Sequence, residues 1–229
     1  MGASAGVSNG QADGGDGSPQ SEGGNAGTGV DVNVGGDDST SLVLPPLVDG
    51  CADLDTDGVA DCSVTLVKNA AFKSDIGSWT AVDDSRLAWD AKNALGDTPS
   101  GCALLTAEGT TDIDGSALFR ASQCLPASAG QLVIAYANAW VAASEEVAAA
   151  AHAELEVSYF DAEDCAGKAT GYFVTPPNAA TGTWVTVQAG GVTGPATTSI
   201  LVELVGVKPY RTGNLRACFD NVMVKTKAL

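Results

Sequence analysis

Residues 153–160 read AELEVSYF, and they alternate strictly. Ala153, Leu155, Val157 and Tyr159 fall on one side of the chain; Glu154, Glu156, Ser158 and Phe160 fall on the other. A period of two belongs to a pleated strand with one face on a core and the other on solvent. Similar short apolar or alternating runs recur from Ser63 onward: VTLVKN (64–69), CALLTAEG (102–109), QLVIAYANAWVA (131–142), TWVTVQ (183–188), SILVELVGV (199–207) and ACFDNVMVKT (217–226). Clusters of Gly, Asp, Asn and Pro separate them, as turns separate strands. One stretch competes: the alanines of SEEVAAAAHAEL (144–155) favour helix. A loop or short helical turn feeding the next strand satisfies both signals. There is no strand–helix alternation of a parallel sheet and no internal repeat. The pattern predicts an all-β domain over 63–229, one antiparallel sandwich or jelly roll.

The first part of the chain is built differently. Residues 1–40 hold 12 of the 28 glycines and no aromatic residue. Such a segment cannot bury enough apolar surface to offset its ordering entropy, so 1–40 is expected to be a disordered acidic tail. Residues 41–62 are expected to link it to the domain, beginning with the proline-broken SLVLPPLV (41–48). Residues 1–62 carry 11 of the 28 acidic side chains and none of the 11 Lys and Arg, within a formal net charge of −17. That charge repels phosphate backbones and anionic membranes, which argues against a nucleic-acid partner. It attracts divalent cations. No apolar run is long enough for a transmembrane span.

A metal-binding pattern lies in the linker. In CADLDTDGVADC (51–62), Asp53, Asp55, Asp57 and Asp61 stand at positions one, three, five and nine of a calcium loop. Gly58 permits the sharp turn, and the carbonyl of Val59 supplies the seventh-position ligand. Val64 stands where an EF-hand has its bidentate glutamate. The stretch resembles a single calcium-binding repeat of the thrombospondin type 3 kind, which implies a structural Ca2+ ion. Cys51 and Cys62 flank the loop and could close it as a local disulfide. Six cysteines without a CxxC pair, beside a single histidine, read as disulfides formed in an oxidising compartment. MGASAG has neither the basic start nor the apolar core of an export signal. The expectation is therefore the mature form of an exported protein, extracellular or at the cell surface, with its signal or lipid anchor absent.

Three further segments carry a second likeness: LVKNAAFKSDIGSWT (66–80), SQCLPASAGQLVIAYANAW (122–140) and ACFDNVMV (217–224). In this order they resemble the carbohydrate-binding-module-like jelly rolls of bacterial secreted proteins, within the galactose-binding-like fold. The resemblance implies a two-sheet antiparallel jelly-roll sandwich that often binds glycans and often carries a structural calcium ion. For that ion the family commonly has Glu where this chain has Lys73, which cannot coordinate a cation; the aspartate of the closing motif is kept as Asp220. The resemblance also pairs Cys124 with Cys165, which leaves Cys102 with Cys218.

A glycan site needs an aromatic platform rimmed by polar groups. Trp79 matches the family's structural tryptophan, Trp140 ends a buried-looking strand, and Trp184 could face either way. Trp89 lies in the polar, irregular SRLAWDAKNALGD and is the leading candidate platform, with Arg86, Asp90 and Lys92 beside it. Tyr172, Phe173 and Tyr210 are secondary candidates. His152 reads as a solvated residue beside Glu154, and no G-x-S-x-G, HExxH or phosphate loop is present. The expected role is non-catalytic glycan binding or adhesion. The alternative is a subunit of an extracellular filament or coat, self-associating through SLVLPPLV and sheet edges.

Overall fold

The computed structural model describes residues 47–48, 51–53, 65–83, 85–96, 99–108, 116–142, 151–209 and 214–229. The expected tail (1–40) and most of the expected linker lie outside them. Twelve strands follow in order: β1 (Leu47–Val48), β2 (Cys51–Ala52), β3 (Thr80–Val82), β4 (Arg86–Asp90), β5 (Cys102–Ala107), β6 (Ser116–Pro126), β7 (Gln131–Val141), β8 (His152–Phe160), β9 (Ala169–Val174), β10 (Trp184–Val192), β11 (Ser199–Pro209) and β12 (Leu215–Ala228). A 3-10 turn, Glu163–Cys165, joins β8 to β9, and there is no α-helix among the described residues.

Two five-stranded antiparallel sheets pack face to face as a jelly-roll sandwich. One has the order β10-β7-β12-β5-β4 and the other β3-β6-β11-β8-β9; β1 and β2 form a small hairpin of their own. The core is the sum of the inward parities. Val133, Ala135, Ala137, Ala139 and Val141 of β7 meet Ala153, Leu155, Val157 and Tyr159 of β8, with Ile200, Val202 and Leu204 of β11 beside them. The burial of β8 alternates residue by residue, as AELEVSYF requires.

The region expected as a strand over 64–69 is instead irregular from Thr65 onward, although it lies along β12. Leu66 N donates to the carbonyl of Val224 at 2.9 Å. Its Asn–Phe–Gly–Trp pattern serves a loop. Asn69, at φ 52°, donates from Nδ2 to the carbonyls of Asp75 and Gly77 and to Asp75 Oδ1. Asparagine tolerates this left-handed conformation better than most residues. Gln123, buried in β6, clamps the loop from below: its Oε1 accepts from Lys68 N, and its Nε2 donates to the carbonyls of Lys68 and Ser78. The clamp seats Phe72 and Trp79 in the core, their ring centroids 5.9 Å apart.

Two disulfides brace the sandwich. Cys102–Cys218 links β5 to β12 with a Cα–Cα distance of 5.5 Å, and Cys124–Cys165 links β6 to the 3-10 turn at 6.0 Å. Both join the cysteines that the family resemblance pairs. The expected bridge between Cys51 and Cys62 rests on Cys62, which lies outside the described residues.

Candidate functional site

The outward face of the first sheet carries the most distinctive group of side chains. Alternation along β7 puts the alanines on the core and leaves Tyr136, Asn138 and Trp140 pointing away from it. The register then sets one row across all five strands: Trp184, Trp140, Cys218, Leu104 and Ala88. The Cys102–Cys218 bridge and Leu104 form a buried floor, and Trp140 and Trp184 pack against it while staying half-buried themselves.

Polar groups border this row. On one side Thr186 Oγ1 donates to Asn138 Oδ1 at 2.9 Å. Beyond them Tyr136 is buried; burial first, and the Asp220 carboxylate second, push its hydroxyl up to about 12. Asp220 is wholly buried and accepts from the backbone N–H of Ala94 at 2.9 Å and of Asn221 at 2.7 Å. It thereby holds the loop 91–96 over the sheet. On the other side the register aligns Arg216, Thr106 and Arg86. Arg216 reaches across the Leu104–Ala88 row to Asp90, Nη2 to Oδ2 at 3.8 Å. Arg86 pairs with Glu108 at 2.9 Å, both well exposed. Asp90 Oδ1 also accepts from Lys92 N at 2.9 Å, which turns the chain back over the face. The Lys92 ammonium lies 4.2 Å from the centroid of the Trp140 ring. That is a cation–π distance.

The structure divides the residues that the sequence grouped as one binding site. Arg86 and Asp90 lie on this face, on edge strand β4. Trp89, one position off, turns to the opposite side of β4: its Nε1 donates to the carbonyl of Phe72 at 2.6 Å and its ring rests on Gly101, although 38% of the residue is exposed. The stretch expected to be irregular is thus a strand at Arg86–Asp90, with Trp89 held as an edge cover rather than a free platform. Tyr172 is on the other sheet, in edge strand β9 opposite Ser158, and is 63% exposed. Phe173 is buried against Tyr159, and Tyr210 lies outside the described residues. Trp140, expected in the core, is on the outward face. A signal for it was present in AYANAW, where the small residues share one parity and Tyr136, Asn138 and Trp140 share the other.

Of the expected calcium ligands only Asp53 is among the described residues, and it is buried. Asp55, Asp57, Val59 and Asp61 are not. Lys73 is exposed. Among the described residues no group of three or more His, Cys, Asp or Glu is placed to hold a metal ion.

The outward face of the second sheet is acidic. Glu156 and Glu203 stand directly opposite each other on β8 and β11, and the Arg120 guanidinium bridges them at 3.6 and 3.8 Å. Burial raises Glu203 above the usual carboxylate range; Arg120 opposes the shift, while Glu156 and Asp83 add to it. Burial likewise raises Glu154, which lies 3.6 Å from His152 Nε2.

No protein-family profile and no curated protein matches this chain. Among solved structures it is similar to the enzymatically active domain of bacteriophage CBA120 tailspike protein 4, with a TM-score of 0.54 and 13% identity over 73% of this chain. The match spans 22% of the tailspike domain, so it bears on the fold of a part. It is also similar to the CBM22-1–GH10 modules of Clostridium thermocellum xylanase 10B, with a TM-score of 0.49 and 13% identity, over 72% of this chain and 29% of that one. The CBM22-1 xylan-binding domain from Paenibacillus barcinonensis matches with a TM-score of 0.49 and 13% identity, over 70% of this chain and 93% of the domain.

Proposed function

We propose that this chain is a non-catalytic glycan-binding module of an exported protein, and that its binding face is the outward side of the β10-β7-β12-β5-β4 sheet. One observation carries the reading: Trp184 and Trp140 sit side by side, in register and half-buried, on a rigid floor of disulfide and leucine. A sugar ring offers an apolar face of axial C–H bonds, and an indole fixed in position matches it without loss of side-chain freedom. The groups around the pair, Asn138, Thr186, Arg216 and Asp90, supply donors and acceptors for hydroxyls. The sequence likeness to carbohydrate-binding-module jelly rolls points the same way.

A hydrolytic reading has less support. The opposed carboxylates, Glu156 and Glu203, are already bridged by Arg120. The calcium loop at Asp53–Asp61 belongs to the same proposal as a clasp at the entry to the sandwich, supported by the alternation of its aspartates.

Affinity gel electrophoresis of the full chain against a panel of soluble polysaccharides tests the binding face. Retardation by at least one polymer, lost in Trp184→Ala and kept in Trp89→Ala, is the expected result. Retardation lost in Trp89→Ala and kept in Trp184→Ala would move the site to the sheet edge.

A further inference from the structure

Lys92 is out of place for a chain with 28 carboxylates and 11 cations. Among the described residues its ammonium makes no ion pair; it lies over the Trp140 ring instead. Its position is built, not accidental. Asp90 Oδ1 holds its backbone N–H, and Asp220 holds the backbone two residues later. The same Asp90 carboxylate draws in Arg216 through its other oxygen, at 3.8 Å. That contact is long and more than half of the Arg216 side chain is exposed, so Arg216 keeps donors free toward solvent. Asp90 therefore gathers two cations beside the tryptophan pair and neutralises only one of them. A neutral sugar stacked on Trp140 would have to displace Lys92 and give up the cation–π contact. A sugar with an anionic substituent would meet the ammonium where it already sits.

From this arrangement we infer that the face selects an acidic glycan, one whose sugar carries a carboxylate or a sulfate ester. The ring stacks on Trp184, and the anionic group is received by Lys92 and Arg216 at Trp140. This rests on the proposed binding face and adds its ligand class. The net charge of the protein opposes long-range attraction of such a polymer. Recognition is therefore local, through charge-assisted hydrogen bonds made at contact.

The test uses matched polymers on the full chain: polygalacturonate, the same polymer after carboxyl reduction, dextran sulfate and plain dextran. Titration calorimetry or affinity electrophoresis should find an anionic polymer bound about tenfold or more tightly than its uncharged counterpart, the loss matching one charge-assisted hydrogen bond. Polygalacturonate assigns the site to carboxylate, and dextran sulfate assigns it to sulfate. Lys92→Met should remove that preference and leave binding of the uncharged polymer equal or stronger, with Tm measured to confirm an intact fold. Equal binding of charged and uncharged partners by the unmodified protein overturns the inference and leaves the glycan-binding face standing. So does a preference that survives Lys92→Met. Binding to none of these or to any other polysaccharide overturns both.

Discussion

Replacing Cys102 and Cys218 together by alanine removes the bridge beneath the tryptophan pair. It spans 116 residues of sequence. In the loop-closure account a cross-link of that span withdraws about 16 cal/mol/K from the unfolded chain, or about 4.9 kcal/mol at room temperature. The Cys124–Cys165 bridge spans 41 residues. The same expression assigns it about 3.9 kcal/mol. Either loss is a large share of the roughly 5–15 kcal/mol by which domains are stable. The prediction is an order as well as a size: C102A/C218A is less stable than C124A/C165A by about 1 kcal/mol. Urea unfolding of each full-length variant, followed by tryptophan fluorescence and compared at equal m-value, reads the difference. A second readout separates the sheets: C102A/C218A should lose glycan affinity because Trp140 and Trp184 pack on that bridge, and C124A/C165A should keep it. A reversed order of stability, or a loss below about 1 kcal/mol for the longer span, would refute the unfolded-chain argument.

Three other expectations follow from the same geometry. Gly101→Ala would put a methyl group 2.5 Å from the carbonyl oxygen of Asp90 and 2.5 Å from Trp89 Nε1; a loss of about 1–3 kcal/mol in unfolding is expected, and an unchanged Tm would mean that β4 shifts freely. Burial raises Glu203 and Glu154 above their ordinary value of 4.5, so the native state holds their protons more tightly than the unfolded chain does. Their contribution is fully present below that value and is lost as pH rises through the raised native one; in urea titrations across that range Glu203→Gln should flatten this part of the pH dependence, and an unaltered slope would count against it. If the Asp53–Asp61 loop holds calcium, a concentration about a hundredfold above Kd adds about 2.7 kcal/mol; Tm should rise in calcium over EDTA and Asp57→Asn should abolish the rise, whereas equal Tm values in both buffers would exclude the ion.

The alternation in the apolar runs made the sheets legible. The core parity of AELEVSYF is the parity observed, and β5, β7, β8, β11 and β12 lie close to their expected bounds. β6 was harder to read: Arg120, Ser122 and Cys124 face outward and Gln123 faces inward to serve the loop, so no apolar period marks it as a strand. Residues 65–69 carry strand-like Leu66 and Val67, yet Asn69 needs positive φ and breaks the ladder. The grouping of side chains on each face was hidden for a related reason. Polar neighbours pointed to an exposed Trp89, and it is exposed, but in a strand Arg86 and Asp90 occupy the other face. The pairing of Trp140 with Trp184 joins segments 44 positions apart, and only the register of β7 and β10 brings them together.

β12 is the last strand of the sandwich, yet it lies in the middle of its sheet, between β7 and β5. Neither neighbour can complete its hydrogen bonds, and Cys102 cannot meet its partner, until residues 215–228 have been made. Assembly of that sheet during synthesis therefore waits for β12. On the proposed reading of an exported protein, that sheet stays open while the chain is threaded and closes, with the Cys102–Cys218 bridge, once β12 has emerged.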